Sequence, residues 1–591
     1  MSRTVRRIYP TLRSLFLGAI VASGVTLATG AITGCSGDEN DPETHVKKLS
    51  DPAQRVPAAS RIVQFFEDAM TKDNKDRNGP NVKPLLDKIV EPMSQLCTTG
   101  DLDEKTLSKV VKFLSDARDA RGAPCLIKTL KDYKPENTEE DVRAAARGVG
   151  PMKVKEAAGP LFEAFAKMRH SKPKASLVTR DVHDALMELA DPAWEAQCIT
   201  MIGKPINDRK DINVLKDEFY WQITCAEILG NLKAANAVKP LIKIVLSPVK
   251  ADAQATAIYS LIKIGKPAID PLVKLLQGSD NDLMEYAKVE YLKANAGPDG
   301  KAPESATKAA PTAYLAPSAL MLGSIGRDEA IQPMIDSLAK ADDVGKVVIG
   351  RELLKLPSSA ASLDAVKAVY EKTPITLSIP PGNGAREAIL DSIGDLYDAS
   401  IVPWLVKTAL DAKGEDADLE PVRGAALVTA MKIMKTDQIP EVDKLAAAKV
   451  TGADGKPSTL GKGYEKEYKL ATDLLKECGD KIECYYGKLK DPNSHVGEKQ
   501  LIGIKAVTMI GVLGGPEVRA KLIEMMPSIT NAGAKFAAVK VIDRRSPKGD
   551  AAIAGQLQKI VDDADATKDG NKIASVAPFK MVVYRLNARG Q

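Results

Sequence analysis

The chain has 591 residues, of which 44% are hydrophobic but only 4% aromatic. Globular cores stop growing at ~250–300 residues, which excludes one compact core, and the scarcity of aromatic side chains suits thin layers of paired helices better than a sandwich or barrel. Four units of the +5 net charge sit on Arg3, Arg6, Arg7 and Arg13, so from residue 35 onward the chain is nearly neutral at +1, which gives no ground for a nucleic-acid partner.

Those arginines precede an apolar stretch, residues 14–34, which runs into Ile32-Thr33-Gly34-Cys35-Ser36. A basic start, an apolar core and small residues before a cut site make a secretory signal. A cysteine directly after the small residues resembles the lipobox of bacterial lipoproteins, with Thr33 where Ala or Ser is usual. The resemblance implies that residues 1–34 are removed and that Cys35 carries a diacylglycerol and an acylated amino terminus. It implies a lipid-anchored protein of the bacterial cell envelope, and Ser36 in place of Asp implies sorting to the outer membrane, facing the periplasm. Without the resemblance, about 21 weakly apolar residues just span a bilayer as an uncleaved anchor. Residues 35–58 are polar, carry Pro42, Pro52 and Pro57, and predict a flexible tether.

Beyond the tether a prolyl signature recurs: Val82-Lys83-Pro84-Leu85, Ala123-Pro124-Cys125-Leu126, Ala158-Gly159-Pro160-Leu161, Val238-Lys239-Pro240-Leu241, Ile269-Asp270-Pro271-Leu272, Ile331-Gln332-Pro333-Met334 and Ile401-Val402-Pro403-Trp404. The prolines lie 40, 36, 80, 31, 62 and 70 residues apart, one or two units of the ~30–40-residue period that marks a solenoid. Each proline opens a short amphipathic helix, where its fixed φ fits and its missing N–H costs nothing. An apolar first helix precedes it, as in 221–232, 257–265, 318–326, 388–396 and 506–515, with Gly or Asn near its end suited to a left-handed cap. Weaker copies occupy 176–206, 342–371, 420–448 and 531–563. Alanines and glycines on the first helices predict close helix–helix approach. The pattern resembles the short bacterial form of the HEAT repeat, which implies an all-α superhelix, an α-solenoid of about a dozen HEAT-like helix pairs over residues 59–565, with a C-terminal cap at 566–591. Stretches at 295–311, 372–384, 411–420 and 449–463 interrupt the period and predict loops, which in repeat proteins gather on one face.

Six cysteines follow Cys35. Cys478 and Cys484 flank a turn that a disulfide is placed to staple. Cys198 and Cys225 fall mid-helix on neighbouring helices, a second candidate bridge. Cys97 and Cys125 lie at opposite ends of stacked helices, roughly 18 Å apart in a regular array, so their bridge needs a distorted first unit. Trp194, Trp221 and Trp404 occupy apolar helical positions that predict burial; exposed, they would be binding hot spots. His45, His170, His183 and His495 show no i, i+4 spacing, and the sequence carries neither a Gly-Lys-Ser/Thr phosphate loop nor a Gly-x-Ser-x-Gly elbow. No metal, cofactor or catalytic constellation is expected. The pattern predicts a non-catalytic, membrane-anchored scaffold whose second helices line a groove for a protein or peptide. The alternative is an accessory to enzyme chemistry, since some HEAT-like proteins resemble lyases that attach bilin pigments.

Overall fold

A computed structural model describes residues 38–591 other than 100–101, 136–138, 174, 207–210, 358, 380–381, 452–456 and 568. Cys35 and the apolar stretch before it lie outside the described residues. The chain is all-α: among the described residues two short antiparallel hairpins, Ser378–Ile379 with Asn383–Gly384 and Lys449–Thr451 with Pro457–Thr459, interrupt a succession of helices. No helix among the described residues is long and apolar enough to cross a membrane.

Two units divide at Ile89 and Val90. The first holds α1 (Pro42–Lys48), α2 (Arg55–Lys72) and the start of α3 (Val82–Thr99). The stretch read as a tether is thus helical from Pro42: the Asp41 carboxylate accepts the Glu43 N–H, Pro42 sits in the first turn, and α1 packs on α2.

In the second unit, first and second helices alternate. The pairs are α4 (Glu104–Ala117) with α5 (Ala123–Lys131), α6 (Glu139–Val149) with α7 (Ala158–Lys167), α8 (Ala175–Leu189) with α9 (Glu195–Gly203), α10 (Ile212–Asn231) with α11 (Val238–Leu246) and α12 (Ala251–Ile264) with α13 (Ile269–Leu276). The insertion at 295–311 is part of a helical excursion, α14 (Asn281–Ala294) and α15 (Glu304–Ala309). Pairing resumes with α16 (Leu315–Ile325) and α17 (Ile331–Ser337), α18 (Asp343–Leu353) and α19 (Ala360–Lys372), α20 (Ala385–Gly394) and α21 (Val402–Asp411), and α22 (Asp416–Ile433) and α23 (Ile439–Ala446). It ends with α24 (Glu465–Cys478) and α25 (Ile482–Lys490), α26 (Gln500–Leu513) and α27 (Val518–Met525), and α28 (Ala532–Arg544) and α29 (Ala551–Ala566), before a long last helix, α30 (Gly570–Arg589). Twelve pairs result among the described residues, an all-α, HEAT-like solenoid. The insertion at 372–384 contains the first hairpin and that at 449–463 the second, whereas 411–420 runs into α22, which begins at Asp416.

Local chemistry repeats with the pairs. A three-residue 3-10 turn precedes most second helices and ends in a fully buried alanine at Ala157, Ala237, Ala268 and Ala330; a larger side chain there would push the turn off the first helix. The residue reversing the chain is left-handed, but glycine supplies it only in part: Arg118, Lys153, Ala190, Lys233 and Tyr397 adopt it alongside Gly265 and Gly326. Gly230 has another job. It lies inside α10, where an added Cβ would stand 2.8 Å from the Ser260 Cα of α12, and Ser260 Oγ donates to Ala226 O at 2.7 Å across the same crossing.

The array does not end at the twelfth pair. The C-terminal segment read as a cap returns along α28 and α29 to α12 and α16. Its last residue, Gln591, accepts the Lys266 N–H at 3.0 Å; Arg589 donates to Gly326 O at 2.8 Å, and Arg327 donates back to Ala588 O at 2.7 Å.

Because Gly230 serves a crossing and Gly555 of α29 faces open space, alanine should act oppositely at the two. Gly230→Ala is expected to lose about 1–3 kcal/mol through overpacking, and Gly555→Ala to gain about 0.5–1 kcal/mol through helix propensity, read from urea unfolding.

Candidate functional site

The candidate site grows from an aromatic cluster on α7, α10 and the turn before α9. Trp194, in the turn before α9, is 2% exposed; it stacks on Phe162 at 5.8 Å and donates its indole N–H to Ala158 O at 3.2 Å. Trp221 is half-buried, donates to Phe165 O at 3.2 Å, and lies under the Arg169 guanidinium at 4.8 Å. Tyr220 stacks on His170 at 5.3 Å and donates its hydroxyl to Thr179 O at 3.0 Å. All three tryptophans are thus at least half-buried and none is a free anchor. Trp404 sits apart on α21, edge-on to Tyr370 at 5.3 Å.

Beside this cluster runs a groove of about 440 Å³ between α8 and α10, with Ile212, Leu215, Phe219 and Ile223 as its apolar floor and Arg180, His183, Lys216 and Asp252 among its polar lining. It lies on first helices, where the sequence reading expects second helices. The reason is the length of α10: 20 residues against 14 in α12, an excess of about 9 Å at ~1.5 Å per residue. The extra turns have no neighbour of equal length, so Ile212 stays 60% exposed, with Val214 and Leu177 also exposed. The apolar pattern in the sequence is regular only from Trp221 onward, so the groove is not visible in it. The available signal is Asp211, whose carboxylate accepts the Asn213 and Val214 N–H groups and caps the helix nine residues earlier.

His183 connects the groove to its support. Its Nδ1 lies 3.3 Å from Asp184 and its Nε2 3.0 Å from Glu227 of α10. Burial disfavours the charged ring, but the two carboxylates prevail and hold it up to about 9. His183 keeps the Glu227 carboxyl low against burial, with Lys263 and Lys580 nearby adding to the effect. Among the described residues no group of three or more His, Cys, Asp or Glu is placed to hold a metal.

The cysteines depart from the stacking rule. Cys478 and Cys484 are bridged across the turn between α24 and α25, Cα to Cα 5.4 Å. Cys97 and Cys125 are bridged too, Cα to Cα 5.5 Å. The regular-array objection fails because α3 is an 18-residue helix, not a copy of the nine-residue α5; its last turns meet the first turn of α5 end to start. Cys198 and Cys225, the other candidate pair, are both buried and unbridged. Their helices pack together as the register requires, but Cys225 Sγ points to Met201 Sδ at 3.6 Å, and burial followed by the neighbouring Cys198 pushes its thiol well up.

No family model and no curated protein matches the sequence. Among solved structures, the chain is similar to importin beta crystallised in an ammonium sulfate condition (11% identity, 92% of this chain and 84% of that one, TM-score 0.33) and to Kap95p bound to RanGDP (12%, 92% and 77%, TM-score 0.34). Kap121p bound to RanGTP aligns at 13% identity over 93% of this chain and 75% of that one, with a TM-score of 0.22. These superpositions are loose.

Two outcomes are expected. A non-reducing digest read by mass spectrometry should yield Cys97–Cys125 and Cys478–Cys484 as linked peptides, with Cys198 and Cys225 alkylated only after denaturation. In an NMR titration the His183 ring should deprotonate near pH 9. Since that value lies above the ordinary 6.5, its contribution to stability is complete below about pH 6.5 and lost as pH rises through about 9; His183→Gln should abolish that part of the pH dependence.

Proposed function

We propose that the protein is a non-catalytic scaffold, anchored through acylated Cys35 to the outer membrane of a bacterial cell envelope and facing the periplasm, that binds another protein through the groove between α8 and α10. The observation that carries this reading is exposed Ile212 over half-buried Leu215 and Phe219, beside the cations Arg180 and Lys216. Solvent-facing apolar side chains of this kind, next to charge of one dominant sign, suit a segment that offers apolar side chains next to carboxylates. The lipobox-like Ile32-Thr33-Gly34-Cys35 supports the anchor, where acyl chains contribute ~0.8 kcal/mol per buried methylene.

A photo-reactive residue at position 212, activated in intact cells, is expected to give one discrete adduct that disappears in a Phe219→Asp background. A smear of products, or an adduct indifferent to Phe219→Asp, removes the groove from the function. Cys35→Ala should move the protein from the membrane to the soluble fraction; retention in the membrane when the groove is also disabled defeats the lipid anchor.

A further inference from the structure

Within the second unit, α18, α20, α28 and α30 enclose a cavity of about 290 Å³. Arg351, Lys355, Lys540, Arg544, Arg585 and Arg589 line it, against Asp391, Asp395 and Asp543. Most of these charges are engaged. Asp395 receives Lys432 at 2.5 Å and Lys540 at 2.7 Å; Asp543 receives Arg589 at 2.9 Å; Lys355 holds Glu352 at 2.5 Å. Arg544 donates to Leu354 O and Leu356 O.

Two guanidiniums are not fully engaged: Arg351 lacks an ion-pair partner among the described residues, and Arg585, paired with Asp543, keeps a donor without a hydrogen bond. Arg351 donates its Nε to Ser392 Oγ at 3.1 Å and has no carboxylate within ion-pair distance among the described residues. Arg585, with a side chain 9% exposed, donates Nη2 to Lys355 O at 2.9 Å, but its buried Nε stands 3.4 Å from Asp543 without a hydrogen bond. A buried donor left unmade costs ~1–3 kcal/mol, more for a charged group. Burial holds Arg544 and Arg589 down to about 10; Asp543 opposes the shift and the neighbouring guanidiniums add to it. The excess of cations over carboxylates calls for a multiply charged anion, and guanidinium forks match tetrahedral oxyanions in bidentate geometry.

We propose that this cavity is a binding site for a small multivalent oxyanion of the phosphate type, held by Arg351 and Arg585. It is separate from the α8–α10 groove and does not depend on the partner proposed there.

The test is calorimetric titration of inorganic phosphate into the purified full chain in chloride buffer, with ionic strength held constant. Saturable binding and a rise in the unfolding midpoint, absent with matched chloride, are expected. Arg351→Gln should weaken binding at least tenfold while leaving the phosphate-free midpoint unchanged. Arg351→Lys, which keeps the charge but not the fork, gives the check on folding: it should retain the wild-type midpoint and still bind more weakly than wild type. Glycerol phosphate forms the second arm. If it displaces inorganic phosphate, the site accepts a monoester; if it does not, the site takes the free ion; either result keeps the site. A midpoint that responds to phosphate no more than to chloride, or equal affinity in wild type and Arg351→Gln, overturns the proposal.

Discussion

The carbonyl oxygens at the ends of the helices, left without intrahelical partners, govern how the second unit is assembled. A helix C-terminus carries about half a negative charge and up to four unsatisfied acceptors. In an array of antiparallel pairs those ends line up along both edges. The chain answers with cations from distant repeats. Lys250 donates to Ile202 O at 2.6 Å and Lys204 O at 2.9 Å after α9; Lys505 donates to Met431 O at 2.8 Å and Lys432 O at 3.0 Å at the end of α22. Burial pushes Lys505 down to about 7, and its carbonyl partners are what make an ammonium tolerable there.

The same rule explains the return of α30. Arg585 and Arg589 reach Lys355 O and Gly326 O, the ends of α18 and α16, while Arg327 reaches the end of α30 itself. Gly326 is required twice over: its φ is +79°, and a Cβ would stand 2.9 Å from both Arg585 Nη2 and Arg589 Nη2. With α30 seated on α12, α16 and α28, that part of the first-helix face is occupied by the chain's own helix. The accessible apolar surface is therefore sought at overhangs, such as the first turns of α10.

What the sequence reveals and conceals follows from this. The prolines mark second-helix starts because their constraint is local, and the all-α solenoid with a dozen pairs is legible from them. The groove is half-legible: Asp211 signals the true start of α10, but the overhang exists only relative to the shorter α12. The Cys97–Cys125 bridge is not legible from repeat register because α3 is not a repeat copy. The arginine cavity is least legible. Arg544 and Arg585 bond to backbone carbonyls 190 and 230 residues away, and a carbonyl has no residue type to recognise.

Stacked repeats ordinarily touch only their neighbours, so their stability is a sum of local terms. Here that independence is broken. Lys266 at the end of α12 is bonded to Gln591, Tyr259 of α12 meets Tyr584 of α30 edge-on at 6.4 Å, and Lys263 lies 4.7 Å over the same ring. Lys580, one turn earlier on α30, stands near Glu227, the partner of His183 beside the groove. From Lys580 to Arg589 is about 13 Å along the helix. One rigid element therefore carries the charge near the groove at one end and the arginines of the cavity at the other. Repeats from α12 to α28 are closed into a circuit by that helix, and loosening it frees them together, whereas α4 to α8 contribute no backbone acceptor to it among the contacts described.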